Sequence, residues 1–210
     1  SVIHHLNCLT AAVPWKGRAI PIAGKLYFDN KILSQTIIEE KFIKYLVHFV
    51  PKGYKVCIVA DRGFGRVSFL QHLDNIGVKY VIRVKSDVIV RDETGTRKLL
   101  RKRKGRIDRV KWFPNCLYRA DEAIKLNITI AKKRGAKEAW YLATNLTDPK
   151  EARRRYEQRF QIEETFKDAK HQLNLEYIRL RDIKKIGKMI AAILVAIILL
   201  ILIGIKAHNF

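Results

Sequence analysis

Four side chains that can bind phosphate or metal ions recur at helical spacing near the end of the chain. Arg159, Glu163 and Lys170 follow Tyr156 at offsets of 3, 7 and 14 residues. Each residue of an α-helix advances by about 100°, so these four positions fall within roughly 60° of arc. The stripe therefore combines a hard oxygen ligand for a divalent cation with three donors for phosphate oxygens.

Spacing alone leaves two interpretations of this stripe. A solvated charged face is the commoner origin of such a pattern. The stripe, however, holds one acid among cations and an aromatic ring, rather than alternating Glu and Lys residues. The chain also carries 42 Lys and Arg residues against 20 Asp and Glu residues, a formal net charge of +22. A protein this basic needs an anionic partner, for which nucleic acid is the first candidate and an anionic membrane surface the second.

A second candidate acid, Asp61, follows the apolar run Tyr54–Ala60. The run is bounded by turn residues and predicts a buried strand of a mainly parallel sheet. Gly63 and Gly65 come just after Asp61, at the end of the strand where α/β sheets place their ligands. The pattern equally allows Asp61 to be the N-cap of the next helix.

The two motifs, with Asp61 lying 102 residues before Glu163, resemble the signature of the insertion-sequence DDE transposases, a cut-and-paste class with an RNase H-like catalytic domain. The resemblance implies an α/β fold: an RNase H-like mixed sheet flanked by helices and interrupted by a β-rich insertion. It also implies that Asp61 and Glu163 are catalytic carboxylates that bind metal ions. Three further residues of the motif are implied to contact phosphates at the transposon end: Tyr156, Arg159 and Lys170.

The reaction implied by the resemblance uses two Mg²⁺ or Mn²⁺ ions, which activate the attacking oxygen and stabilise the leaving one. The implied substrates are transposon ends and target DNA, cleaved by hydrolysis and joined by strand transfer. Synapsis of two ends implies a homodimer on DNA. The implied location is the cytoplasm, in association with the nucleoid of a prokaryote.

The family pattern is incomplete in one respect. Its first Asp lies on a strand that precedes the segment matching residues 1–28, and no residue of this chain occupies that place. We therefore expect the chain to be either an N-terminally truncated transposase or a degenerate copy. In either case we predict weak metal binding and no strand transfer by the chain as it stands. A non-catalytic DNA-binding remnant is the alternative function.

The apolar pattern predicts the elements that must position these residues. A turn at 14–17 separates two extended segments, and a helix at 148–170 begins with Asp148 as N-cap and Pro149 in its first turn. The other predicted elements are a helix at 30–49, a strand at 54–60, a helix at 66–76 and a strand at 79–84. These elements assign 1–85 to the first part of the core and 147–210 to its second part.

Residues 86–146 are predicted to form the β-rich insertion, with strands at 107–113, 126–131 and 139–143. Eight cations lie between Arg97 and Arg109. Their density favours contact with a DNA backbone, although a solvated loop has the same composition. The residues predicted to bind DNA in this run are Arg101, Lys102, Arg103 and Lys104.

Three cysteines, Cys8, Cys57 and Cys116, are far apart and odd in number. They form neither a metal-spacing motif nor a disulfide framework. We expect them to be reduced core residues of a cytosolic protein.

An apolar run of 17 residues spans 189–205. Its length is at the lower edge of a membrane span. On hydropathy alone a transmembrane helix and a buried helix are equally good interpretations. The resemblance favours a soluble apolar helix packed behind the catalytic sheet, so we predict no contact with a membrane.

Overall fold

A computed structural model describes residues 6–28, 34–103, 105, 107–119, 124–172 and 182–208. The chain divides into two compact units, one of Ser1–Phe42 with Arg159–Phe210 and the other of Ile43–Gln158. The fold is mixed α/β with sheet strands and flanking helices, as the sequence predicts. The predicted boundaries after residues 85 and 146 both fall inside the second unit.

The first unit begins with an antiparallel hairpin of β1 (Leu6–Trp15) and β2 (Arg18–Phe28). Lys16 and Gly17 connect the strands with φ values of 44° and 83°. Two consecutive positive φ values are typical of the two-residue hairpin turn that matches the twist of its strands. The predicted pair of extended segments and their turn are therefore confirmed.

Helix α1 (Gln35–Phe49) starts in the first unit and ends in the second. The second unit is built on a seven-stranded sheet with the order β3-β4-β9-β8-β7-β5-β6. Its strands are β3 (Cys57–Ala60), β4 (Lys79–Arg83), β5 (Ile89–Arg91), β6 (Arg97–Leu99), β7 (Val110–Tyr118), β8 (Ile124–Ala131) and β9 (Trp140–Thr144). Among the described strand pairs of this sheet only β3–β4 is parallel, joined through helix α2 (Val67–Asn75), so the prediction of a mainly parallel sheet is wrong. The strands of the predicted insertion thus continue the sheet of β3 and β4.

Both faces of this sheet are covered because successive side chains of a strand point to opposite sides. On β4, Tyr80 and Ile82 join the large cluster that includes Leu70 and Leu73 of α2. Val81, between them, packs on the other face with residues of helix α3 (Pro149–Gln158). All five of these side chains are fully buried, so the sheet is a rigid support for its loops.

The predicted continuous helix at 148–170 is interrupted at Arg159. Helix α3 ends at Gln158 and helix α4 (Phe160–Gln172) begins one residue later. The Ile162 amide donates to the Arg159 carbonyl at 3.1 Å. This hydrogen bond spans three residues, as in a 3₁₀-helix, rather than the four of an α-helix. Local sequence does not explain the break, since no Gly or Pro is present. The two halves pack on different units, and that tertiary constraint overrides helix propensity.

The last element is helix α5 (Ile183–His208), which packs against β2 and α4. Its segment Ile183–Gly204 is long and apolar enough to cross a membrane, with a mean hydropathy of 3.0, and 11% of it is buried. Ile186 and Ile197 are buried, but five large apolar side chains are 50–64% exposed: Val195, Leu199, Leu200, Leu202 and Ile203. The prediction of a buried helix is therefore wrong for this segment, because β2 and α4 cover one side of it.

Two of the three cysteines are enclosed in the second unit. Burial raises the pKa of Cys57 and of Cys116 to about 11, so both thiols are protonated at neutral pH. Because the thiolate is the reactive form of cysteine, neither Cys57 nor Cys116 is suited to be a nucleophile or a metal ligand. Cys8 is exposed on β1, and its prediction as a core residue is wrong. A two-stranded hairpin leaves one of its faces uncovered.

Candidate functional site

Asp61 lies directly after β3, at the carboxyl end of the parallel pair β3–β4. It precedes a single 3₁₀ turn, Arg62–Phe64, and its side chain makes no capping hydrogen bond. Arg66, not Asp61, is the N-cap of α2. The interpretation of Asp61 as the cap of the next helix is therefore wrong.

One carboxylate oxygen of Asp61, Oδ1, is buried and has no hydrogen-bond partner among the described residues. Such an oxygen costs free energy unless a donor or a cation satisfies it. Carboxylate oxygens are the ligands that Mg²⁺ and Mn²⁺ prefer. The environment of Asp61 therefore fits a ligand to a hard divalent cation.

The loop after Asp61 is fixed to the sheet at Gly65. The Tyr118 hydroxyl donates to the Gly65 carbonyl at 2.8 Å. A Cβ atom at position 65 would lie 3.1 Å from Cγ1 of Val84, closer than side chains normally approach. A side chain at this point would therefore require Val84 to shift by a few tenths of an ångström. The hydrogen bond from Tyr118 holds the turn that carries Asp61.

Glu163 lies in the first turn of α4, where the helix dipole favours a negative charge. Its side chain is 51% exposed and forms an ion pair with the guanidinium of Arg159, which is 14% exposed. The Arg159 guanidinium also lies 5.2 Å from the centre of the Phe160 ring. The structure therefore pairs Arg159 with Glu163, two of the four residues of the motif, and leaves the Glu163 carboxylate accessible to a cation.

Helix α4 is anchored to the hairpin by Thr165, which is 2% exposed. The Thr165 hydroxyl accepts a hydrogen bond from the Ala19 amide at 2.8 Å. A surface ion pair joins Arg18 and Asp168 at 2.7 Å. These contacts hold α4 on β2 two residues after Glu163, which is a rigid setting for a functional carboxylate.

Tyr156 is separated from the rest of the signature because it lies on α3. It is fully buried against Val81, Leu142 and Leu146, and its ring centre lies 5.2 Å from that of Trp140. A phosphate has no access to this interior position, so we assign Tyr156 a packing role. Lys170 lies within α4, but its side chain is outside the described part of the structure.

The four residues of the basic run predicted to bind DNA, Arg101–Lys104, do not share one environment. Arg101 and Lys102 are exposed, whereas Lys104 is outside the described residues. The Arg103 guanidinium is buried and forms an ion pair with Asp92 at 2.7 Å. Because it is engaged inside the second unit, we leave Arg103 out of the proposed DNA contacts.

Asp92 organises the turn between β5 and β6. Its Oδ1 accepts hydrogen bonds from the Thr94 hydroxyl at 2.6 Å and from the Thr96 amide at 3.0 Å. Arg103 also donates to the Thr96 carbonyl at 2.9 Å and lies 4.7 Å from the centre of the Phe113 ring. The Thr94 hydroxyl, followed by the Arg103 guanidinium, lowers the pKa of Asp92 to about 2.

Asp92→Asn is expected to lower the free energy of unfolding by about 2–4 kcal/mol at pH 7, because it leaves the buried Arg103 without its carboxylate. The folded-state pKa of Asp92 is depressed from 3.8 to about 2. The stabilisation is therefore fully present above about pH 4 and is lost as the pH falls through about 2. Urea unfolding between pH 2 and pH 7 measures the difference between wild type and variant, which should shrink at the acid end.

Asp108→Asn is the matched control for Asp92→Asn. Asp108 and its partner Arg134 are 52% and 87% exposed and lie 3.7 Å apart. Such a pair contributes about 0–1 kcal/mol, so this variant should unfold almost as wild type does. A cost for Asp92→Asn that stays constant with pH would contradict the assigned role of the carboxylate.

The described residues do not complete a metal site by themselves. No group of three or more His, Cys, Asp or Glu side chains suited to a metal ion occurs among them. Asp61 belongs to the second unit and Glu163 to the first. What the structure shows is one carboxylate whose surroundings fit a cation and one accessible carboxylate paired with an arginine.

Sequence reasoning missed a group of cations around the Asp61 loop. A cleft of the second unit is lined by Arg62, Arg66, Lys85 and Arg119. The two arginines flank the glycines of the loop and are visible beside Asp61 in the sequence. Lys85 and Arg119 come from distant strand ends, and no motif indicates their proximity.

Taken together, these observations define a mixed α/β chain with a carboxylate, Asp61, directly after a strand of its one parallel pair. The family model described as "Transposase DDE domain" matches residues 29–199. The chain therefore belongs to this transposase family, as its motifs predict.

One solved structure similar to the chain is a piggyBac transposase synaptic complex with hairpin DNA, determined by cryo-EM. The two chains are 13% identical with a TM-score of 0.46, and the match covers 80% of this chain and 41% of that chain. The chain thus spans less than half the length of this transposase. No curated protein matches the chain.

Proposed function

We propose that the chain is the catalytic portion of a DNA transposase that acts on phosphodiesters at transposon ends by two-metal hydrolysis and strand transfer. Membership of the transposase family supports the reaction class. The observation that carries the proposal is the buried Asp61 Oδ1 atom without a hydrogen-bond partner among the described residues, at the carboxyl end of a parallel strand pair. The net charge of +22 supports a polyanionic substrate.

Asp61 and Glu163 are the proposed ligands of Mg²⁺ or Mn²⁺. When bound, the ions activate an attacking oxygen and stabilise the leaving one. Arg159 forms an ion pair with Glu163. Its guanidinium is proposed to hold a phosphate oxygen beside that carboxylate, for which its planar donors are well suited.

The proposed macromolecular partners are the transposon ends and target DNA, with two copies of the chain acting on paired ends. Arg101 and Lys102 are the exposed, described members of the basic run and are proposed to contact the DNA backbone. The proposed contact of Lys170 with phosphate rests on the family signature. Binding by such cations is expected to weaken steeply as salt is raised.

Glu163→Gln tests the proposed function in the full-length natural protein. Loss of this ligand should reduce Mg²⁺-dependent nicking of DNA containing the element's ends by at least about 100-fold, since metal assistance contributes several kcal/mol to the transition state. Nicking rates are measured on labelled duplexes with Mg²⁺ and with EDTA.

Glu164→Gln is the control for this experiment. Glu164 is an exposed carboxylate one residue away on the same helix, so the variant has the same charge and the same helix propensity. It should nick DNA as wild type does. Equal activity of Glu163→Gln and wild type would remove Glu163 from the site.

A non-catalytic DNA-binding remnant is the second candidate function. It is favoured by the absence of a three-ligand metal cluster among the residues that the structure describes. This function predicts salt-sensitive duplex binding that neither Mg²⁺ nor EDTA changes. Duplex binding by the full-length protein without any Mg²⁺-dependent nicking would favour it over the catalytic proposal.

We further propose a cytoplasmic location, associated with DNA and not with a membrane. The exposed apolar segment Ile183–Gly204 makes this proposal testable. Cells are lysed without detergent, the DNA is digested with nuclease and the lysate is ultracentrifuged. The full-length protein should then remain in the supernatant. Recovery only with detergent, and not with 1 M salt, would instead indicate that this segment enters a bilayer.

A further inference from the structure

The cleft beside the Asp61 loop has a volume of about 200 Å³ and lies entirely within the second unit. Four of its lining side chains are cations: Arg62, Arg66, Lys85 and Arg119. None of the described residues that line it is an acid. A concave site with this composition favours an anionic group over any other ligand.

The walls of the cleft are fixed by contacts to the sheet. The Tyr118 hydroxyl holds the Gly65 carbonyl at 2.8 Å, and the Arg66 guanidinium donates to the Gly63 carbonyl. Arg119 follows directly after β7 with φ 54°, an uncommon conformation for an arginine, and its amide donates to the Ile89 carbonyl at 3.2 Å. Unusual backbone conformations that the surrounding structure enforces are concentrated at functional sites.

The charges around the cleft are accessible. Arg62, Lys85 and Arg119 are exposed, and Arg66 is half-buried. The volume is below the roughly 300–1,000 Å³ that encloses a cofactor-sized ligand. The cleft is suited instead to one tetrahedral anionic group of a larger molecule, the rest of which remains outside the cleft.

We propose that this cleft binds a backbone phosphate of the DNA strand presented to Asp61. Arg62 is the residue next to Asp61, so a phosphate in the cleft and a cation on Asp61 are held by the same turn. Guanidinium and ammonium groups are the side chains that bind phosphate oxygens most strongly. The identity of the polyanion as DNA rests on the proposed function, whereas the affinity of the cleft for phosphate does not.

The test compares two double variants of the full-length protein with equal loss of charge. Lys85→Gln/Arg119→Asn removes two cations of the cleft, and Asn tolerates the positive φ of position 119. Lys133→Gln/Lys137→Gln removes two exposed cations of the same unit outside the cleft. Affinity for a fluorescent duplex is measured by anisotropy at several salt concentrations, and unfolding midpoints confirm that both variants fold.

The cleft variant should bind the duplex at least about 10-fold more weakly, and its slope of log affinity against log salt should fall by about 1, since the cleft neutralises one phosphate and each phosphate that is no longer neutralised changes the slope by about 0.9. The control should bind less than about threefold more weakly than wild type. Lys85→Gln alone, which does not alter position 119, should weaken binding in the same direction and reduce the slope by no more than the double variant does. Equal weakening of the cleft variant and the control would overturn the cleft proposal while leaving the proposed function in place.

A second arm uses inorganic phosphate and follows the amide signals of Gly63 and Gly65 by NMR. Saturable shifts in wild type that disappear in the cleft variant are expected. If wild type does not bind duplex DNA, the proposed function fails, and saturable shifts would then assign the cleft to free phosphate. If phosphate produces no saturable shift and duplex binding does not depend on the cleft, the cleft is not an anion site.

Discussion

Asp61→Asn is expected to reduce Mg²⁺-dependent DNA nicking by the full-length protein about 1,000-fold without weakening the fold. A metal ion contributes several kcal/mol to the transition state, and each 1.36 kcal/mol corresponds to a factor of about ten in rate. The carboxylate has a buried oxygen without a partner among the described residues, so removing its charge eliminates an unfavourable desolvation. In EDTA the free energy of unfolding of the variant should be equal to that of wild type or up to about 1 kcal/mol higher.

The measurement that isolates the metal is a thermal melt with Mn²⁺. Binding to the folded state alone raises the unfolding midpoint of wild type, and Asp61→Asn should abolish this increase. Glu138→Gln is the control, since Glu138 is a surface carboxylate of the same unit with a side chain 69% exposed. A variant that both unfolds at lower temperature in EDTA and still nicks DNA would show that Asp61 is structural.

Tyr156→Ala is expected to lower the free energy of unfolding of the second unit by about 3–5 kcal/mol, the range for truncating a buried aromatic side chain. The ring is fully buried between α3 and the sheet and packs edge-on against Trp140. Ala cannot fill this volume, so α3 also packs less closely on Val81 and Leu142. Urea unfolding monitored by tryptophan fluorescence measures the effect directly.

Tyr156→Phe separates packing from chemistry. It keeps the ring and removes only the hydroxyl, so it should cost about 1 kcal/mol and change the affinity for duplex DNA less than about twofold. A tenfold weaker affinity for DNA with unchanged stability would instead show that the hydroxyl contacts a phosphate, as the family resemblance implies. The two outcomes distinguish a core residue from a DNA ligand at the same position.

The split of the signature region explains why its residues have different environments. A single helix would present Tyr156 on one stripe with Arg159 and Glu163, and helical spacing predicts that arrangement. In the structure Tyr156 belongs to α3 and to the core of the second unit, while Glu163 belongs to α4. A stripe read from sequence assumes that the helix continues, and that assumption fails at Arg159.

Most of the fold follows from local patterns. The two-residue turn at Lys16-Gly17, a strand directly before Asp61 and the start of α3 at Pro149 are all confirmed. That strand, β3, is half-buried at the edge of the sheet, so the prediction that it is buried is wrong. Asp148 caps α3, accepting a hydrogen bond from the Lys150 amide at 2.8 Å. Turn residues, caps and apolar periodicity act over a few neighbouring residues, so the sequence contains enough information to predict them.

The environment of charged groups is less predictable. Arg101, Lys102 and Arg103 are consecutive, and composition treats them alike. The structure exposes the first two and buries Arg103 against Asp92 and Phe113. Whether a cation meets solvent or a carboxylate depends on which distant residue faces it, and composition contains no information about that.

The sequence by itself determined the family, the two candidate metal-binding carboxylates and the order of most strands and helices, because each is specified by residue types at short, fixed spacings. Only the tertiary structure decided that Tyr156 is a core residue, that Asp61 does not cap α2 and that four cations surround the loop beside it. It also decided that α5 is covered on one side only. These properties arise from packing between residues far apart in the chain, where burial and electrostatic surroundings are set by neighbours that local spacing does not identify.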